Sequence, residues 1–178
     1  MQLAAAAVAE LWSLYDSTGI RPEWIAPVLW IESGFDPSTP NKQGAPYYGI
    51  GQSSAGIVAA LGTTPADFLT WSAADQLRRA VWPYFARVVA RYGPLRSGAR
   101  CYQANFQPAT LATVRALWQI VAVRGTPAYD YNVTLDVLRD GAITLSDLAA
   151  KVAQASRATD VLAAMGAAYT QRPDDRPT

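Results

Sequence analysis

The sequence predicts an all-α fold, with at most a very small β-hairpin. Three observations carry that prediction. Apolar residues recur at three- and four-residue spacing in one segment after another. Gly and Pro punctuate those segments where helices start and stop. No stretch keeps a sustained two-residue alternation. The chain of 178 residues suffices for one filled core, expected over residues 1–170 as a single domain with a disordered tail at 171–178.

The first helix is expected over Leu3–Tyr15, with Leu3, Ala7, Leu11 and Leu14 on its stripe and Gly19 as its stop. Pro22 opens the second, where a missing N–H costs nothing. Pro27 lies close behind and is expected to displace the boundary or bend the helix. Ile25, Val28 and Leu29 form the stripe, and Glu32 occupies its next position. A carboxylate thus falls where a core residue belongs, in the last turn, two residues before Gly34 ends the helix. Burial disfavours a charged carboxylate, and a carboxyl held protonated near neutral pH is what a general acid requires. An ion pair with an arginine, or rotation to solvent, are the alternatives.

Residues Ser38–Gln52 carry Pro40, Gly44, Pro46, Gly49 and Gly51 and read as a loop with room for a small hairpin. Ser53 or Ser54 caps a short helix through Leu61. Thr64-Pro65 opens another. Ser72 caps a long helix with Leu77, Val81, Tyr84, Phe85, Val88 and Tyr92 inward, kinked or broken at Pro83. Ser97–Asn105 is a further helix, and so is Pro108–Val123, with Leu111, Val114, Leu117, Trp118 and Val121 inward. Residues 125–140 are irregular. Thr144 or Ser146 starts a last helix to about Tyr169.

Composition removes several chemistries. There is no histidine, so His-based triads and ordinary zinc sites are out. Net charge is +1, which argues against a broad nucleic-acid-binding face. No apolar run approaches the roughly 18–20 residues that span a membrane. The alanine-rich start lacks a basic leader, and Glu10 and Asp16 interrupt it, so it reads as an ordinary helix and not a signal peptide. The lone Cys101 has no disulfide partner and suits a small buried position. Carboxylate chemistry remains, with six Trp and nine Tyr as flat faces for the core or for sugars.

One motif ends the second helix and another lies within the loop that follows. Glu32-Ser33-Gly34-Phe35-Asp36-Pro37 is followed by Gly44-Ala45-Pro46-Tyr47-Tyr48-Gly49-Ile50-Gly51-Gln52. Together they resemble the Glu-Ser…Phe-x-Pro and Gly-Ala-x-Gly-Leu-Met-Gln motifs of the lytic transglycosylase family, in the goose-lysozyme-like part of the lysozyme superfamily. Gly51 stands where methionine is usual. Tyr102-Gln103-Ala104-Asn105 is similar to the family's third motif, Tyr-Asn-Ala-Gly, with Gln103 or Asn105 as its amide. Asp75 through Phe85, and then Tyr102 through Ala109, resemble bacteriophage versions of the domain. Tyr129, or Tyr131 in its place, is similar to a late tyrosine that contacts the catalytic acid.

The resemblance, over roughly residues 20–150, implies a lysozyme-like fold and cleavage of the β-1,4 bond between N-acetylmuramic acid and N-acetylglucosamine in peptidoglycan. It implies Glu32 as the single catalytic acid and base, giving 1,6-anhydro ends, with no cofactor and no metal. Gln52, Ser33, Tyr48, Tyr102, Gln103, Asn105 and Tyr129 are the implied substrate contacts. Tyr48 and Trp71 are candidate stacking faces. A lysozyme in which Asp36 or Asp67 activates water, and an inactive peptidoglycan-binding or virion structural domain, are the rivals; Asp36 beside Pro37 also reads as a turn residue. An enzyme of this kind acts at the bacterial wall, carried on a phage particle, released through a membrane lesion, or as a domain of a larger chain.

Asp136–Asp147 has the outline of a calcium loop, with Asp136, Asp140 and Asp147 at its first, fifth and twelfth positions and Gly141 at its sixth. Leu138 offers no oxygen at the third. The other reading is a turn that caps the last helix.

Overall fold

The computed structural model describes residues 3–41, 44–172 and 174. It is mostly helical, with two small antiparallel hairpins. The expected loop at Ser38–Gln52 includes residues 42 and 43, and the expected tail includes 173 and 175–178; these lie outside the described residues.

Helix α1 (Ala5–Thr18) buries Ala7, Leu11 and Leu14 as its stripe requires, and Gly19 closes it at φ 72°. Helix α2 (Pro22–Ser33) is the hub, flanked by α1 and by three later helices. Ile25, Val28 and Leu29 are buried to within 1%. Gly34 caps it at φ 67°, its N–H returning to the Trp30 carbonyl. Pro27 neither moves the boundary nor ends the helix; it sits buried inside α2. The chain then forms strand β1 (Tyr47–Tyr48) and strand β2 (Ser53–Ser54), paired antiparallel. Ser54 caps α3 (Ala55–Ala60), and Thr64 caps α4 (Pro65–Phe68).

Ser72 caps α5 (Ala73–Gln76), its hydroxyl accepting the Asp75 N–H at 3.1 Å. The expected kink at Pro83 takes the form of a π-helical turn over Leu77–Val81, which leads into α6 (Trp82–Tyr92). Pro83 has no N–H to give the carbonyl four residues back, and the Trp82 N–H reaches five residues back to Leu77. Helix α7 (Gly98–Phe106) follows from its Ser97 cap.

The next segment differs from expectation. Pro108–Ala112 is a 3-10 turn, and Ile120–Val123 is strand β3, where a single helix was expected. Leu111, Val114 and Val121 are buried, but Leu117 and Trp118 are 57% and 77% exposed. The Arg100 guanidinium donates to the Leu111 and Val114 carbonyls and ends the turn. The β-branched end of the segment pairs with β4 (Ala142–Thr144), so tertiary pairing overrides the helical spacing.

Between the two strands lie α8 (Pro127–Asp130) and a 3-10 turn, Val133–Leu135. The expected last helix is two: α9 (Leu145–Ala155) and α10 (Thr159–Gln171). Ser156 Oγ donates to the Val152 carbonyl at 2.8 Å, a bond that competes with helix continuation. The break turns α10 back onto α1 and α2. There Trp12 Nε1 donates to the Ala168 carbonyl, Tyr169 bonds Glu23, and Arg172 pairs with Asp16. Gln171 therefore belongs to a helix and Arg172 is tied down, contrary to a tail disordered from 171. One apolar cluster runs from α1 through α10. Among the described residues no helix is long and apolar enough to cross a membrane.

Candidate active site

A groove of about 780 Å³ opens at the C-terminal end of α2. Four pieces of chain build it: the last turn of α2, the loop and hairpin over 39–52, the end of α7, and the stretch around α8. Glu32 projects into it. Burial pushes the Glu32 carboxyl up from 4.5 to about 7, against a hydrogen bond from the Asn105 side chain that favours the charged form. The side chain keeps partial access to solvent from the groove. Its proton is therefore both retained near neutral pH and reachable. Among the described residues that line the groove, Glu32 is the one carboxylate.

Tyr102 and Asn105 project from α7 onto the same space. Tyr102 is 4% exposed, and burial raises its hydroxyl far above the usual range, with the charge of Glu32 adding to the effect. Tyr84 Oη donates to the Ala104 carbonyl at 2.5 Å, which anchors α7 one residue before Asn105. Of the two residues open as the third motif's amide, Asn105 faces Glu32. Gln103 does not reach the groove. It is fully buried, accepting from Arg100 at 2.7 Å and donating to Thr110 at 2.9 Å.

The loop wall is held from behind by Gln76, which is 0% exposed. Its Oε1 accepts the Ile50 N–H at 2.8 Å, and its Nε2 donates to the Pro37 and Phe68 carbonyls. Gly49 has φ 75°, and a Cβ there would lie 2.2 Å from Gln76 Oε1. A Cβ on Gly51 would lie 2.8 Å from a methyl of Val81, in the π-helical turn. The glycine at position 51 thus has a local cause: the loop backbone packs directly on that turn. Ser33 Oγ donates to the Ile50 carbonyl at 2.9 Å and to the Leu29 carbonyl at 3.2 Å. Ser33 fastens α2 to the loop and is not among the lining residues.

Gln52 lines the groove at φ 50°, but its amide is engaged with the loop. Nε2 donates to the Gly49 and Thr39 carbonyls at 3.1 and 3.3 Å, and Oε1 accepts from Asn41 at 3.2 Å. Tyr48 is corrected as a groove contact: it packs against the small cluster of Val58, Phe68 and Ala80. Its neighbour Tyr47, 44% exposed, lines the groove instead, since successive strand residues face opposite ways. Trp71 lies outside the groove against Phe68, with the Arg79 guanidinium 3.9 Å over its ring.

Tyr129 is corrected too. It is 3% exposed and its hydroxyl donates to Asp136 at 2.7 Å, away from Glu32, whereas Tyr131 is 60% exposed and lines the groove. Sequence reasoning passed over Tyr47, Thr39, Asn41 and Phe106, which line the walls. The two-residue alternation in β1 was the only available signal, and it could not choose between adjacent tyrosines.

The acids proposed to activate water are occupied elsewhere. Asp36 accepts the Ser38 N–H at 2.8 Å and hydroxyl at 2.7 Å, and the Ser38 contacts hold its carboxyl below the usual range. Asp67 accepts the hydroxyl of its cap Thr64 at 2.6 Å. Neither lines the groove. Cys101 is fully buried, which pushes its thiol up and leaves it protonated.

The segment outlined as a calcium loop forms the capping turn. Asp136 accepts from the Tyr129 hydroxyl and the Asp140 and Gly141 N–H groups. Asp140 accepts the Ala142 N–H at 3.0 Å. Asp147 forms a capping box with Thr144, and Gly141 supplies φ 90°. Among the described residues no group of three or more Cys, Asp or Glu side chains is placed to hold a metal.

No family model matches this chain, and no curated protein or solved structure matches it.

Proposed function

We propose that this protein is a peptidoglycan lytic transglycosylase. The single observation that carries the reading is a lone carboxyl, Glu32, held at a pKa near 7 in an open groove with no second acid among the described lining residues. Most glycosidases need two carboxylates at set separations. A transglycosylase needs one, because a substrate hydroxyl replaces water. The motif resemblance around Glu32 and Gln52 points the same way.

In this reading Glu32 donates its proton to the glycosidic oxygen as the bond to C1 of N-acetylmuramic acid breaks. The substrate's acetamido group stabilises the positive charge at C1. Glu32, now a carboxylate, takes the proton of the C6 hydroxyl. O6 closes on C1, giving a 1,6-anhydro end and regenerating the acid. A pKa near 7 suits both halves, since the group must give and then take a proton at one pH. Asn105 and Tyr102 are positioned to orient the carboxyl, and Tyr47 and Tyr131 to stack on sugar rings. The enzyme would act at the bacterial wall.

The hydrolytic alternative loses ground because Asp36 and Asp67 are bonded within their own turns. Mass spectrometry of the sugar ends released from purified peptidoglycan tests the reading. Anhydro ends from the wild type, and none from Glu32→Gln, are expected. Reducing ends would mean a lysozyme. No released ends from the wild type would mean a binding or structural domain.

A further inference from the structure

A second cavity, about 670 Å³, lies on the other side of α8 from the groove. Pro127 and Ala128 line the groove, while Tyr129 lines the second cavity, so this one short helix separates the two. Three cationic side chains, Arg124, Arg139 and Lys151, face the cavity against one carboxylate, Asp136. That excess is large for a chain whose net charge is +1. Asp136, held ionised by the Tyr129, Asp140 and Gly141 donors, offsets one of these charges and leaves an excess of two cations. Among the described residues none of the three cations forms an ion pair with an acid.

The loop is shaped to present them. The bonds to Asp136 fix residues 136–141 as a closed turn, and within it Arg139 takes φ 58°, unusual for a residue with a Cβ. Arg124 lies along the Gly141 backbone, its guanidinium 3.5 Å from where a Cβ on Gly141 would stand. Two planar guanidinium groups and an ammonium in one concavity match carboxylate oxygens.

We infer that this cavity binds the carboxylates of a peptide stem carried by the same glycan strand whose sugars occupy the groove. The inference rests on the proposed function, which places N-acetylmuramic acid, the sugar bearing the stem, beside Glu32. A stem of four or five residues reaches roughly 15 Å when extended. A helix with its side chains is about 10–12 Å across, so a stem leaving the groove over α8 reaches the three cations. The cavity thereby selects peptide-bearing strands over bare ones.

The test is binding of a free, uncleavable stem peptide, L-Ala–γ-D-Glu–diaminopimelate–D-Ala, to the full chain, followed by amide NMR and calorimetry. Saturable binding with shifts at Arg124, Gly141 and Lys151 is expected. Affinity should fall about tenfold or more in an Arg124→Gln/Arg139→Gln double variant that melts like the wild type, and the amidated peptide should not bind. Lys151→Gln, on α9 and outside the strained loop, should weaken binding too if the double variant fails to fold. Equal binding by the amidated peptide, no effect of the variants, or inorganic phosphate binding as tightly as the peptide would each overturn the inference. Anhydro ends released by a protein that ignores the peptide would sink this inference alone. Peptide binding by a protein that releases no ends would sink the proposed function alone.

Discussion

The side-chain amide of Asn105 donates to the carboxyl of Glu32, and it does so against the prevailing environment. Burial raises the carboxyl's pKa and the Asn105 bond lowers it, so about 7 is the balance of two opposed effects. Removing the bond while keeping the site apolar shifts that balance upward. In Asn105→Leu the basic limb of kcat/KM against pH is expected to move to higher pH by about one unit, with a lower maximum. A pH–rate series on soluble glycan strands reads it. A limb that stays in place would separate Asn105 from the acid.

The raised pKa also links stability to pH, and the direction is fixed. Between 4.5 and about 7 the folded protein holds a proton that the unfolded chain has released. Stability therefore falls as pH rises through that window and is level above it. Glu32→Gln removes the dependence. It is expected to stabilise the protein above pH 7 by up to about 3 kcal/mol, and to confer no gain below pH 4.5. Urea unfolding of both proteins at pH 4 and pH 8 measures the difference.

Gln76 is expected to be a larger stability determinant than any groove residue. Gln76→Leu strands the Ile50 N–H and the Pro37 and Phe68 carbonyls. That costs about 2–4 kcal/mol. Gly49→Ala drives a Cβ into the same amide from a left-handed backbone and is expected to be as damaging. Thermal unfolding gives both values. Activity should fall in parallel, because the loop they support carries Gln52.

Ser33 separates support from substrate contact. Its hydroxyl bonds the Leu29 and Ile50 carbonyls, so Ser33→Ala is expected to cost about 1 kcal/mol of stability. KM should be unchanged. A raised KM at unaltered stability would make Ser33 a substrate contact instead.

Much of this was legible in the chain itself. Gly19 and Gly34 at helix ends, Ser72 and Ser97 at helix starts, and the stripe leading to Glu32 are local signals, and local energetics decide them. Periodicity put Glu32 on the inward stripe of α2 but left a buried acid, an ion pair and a solvent-facing carboxylate all open. The errors arose where distant residues intervene. Ile120–Val123 became a strand because Ala142–Thr144 supplies its partner. Gln103 turned inward because Arg100 and Thr110 satisfy its amide. Tyr129 left the groove because Asp136 accepts a hydrogen bond from its hydroxyl. Tyr47 and Tyr48 differ only in which side of a two-residue strand faces the groove.

The most direct test of the central claim is titration of the Glu32 carboxyl itself, by carbon NMR of the side-chain carboxyl with Glu32→Gln to identify its resonance. A midpoint near 7 is expected. A midpoint near 4.5, the ordinary value, would mean that water reaches the group freely and that no acid proton is held in the groove at neutral pH.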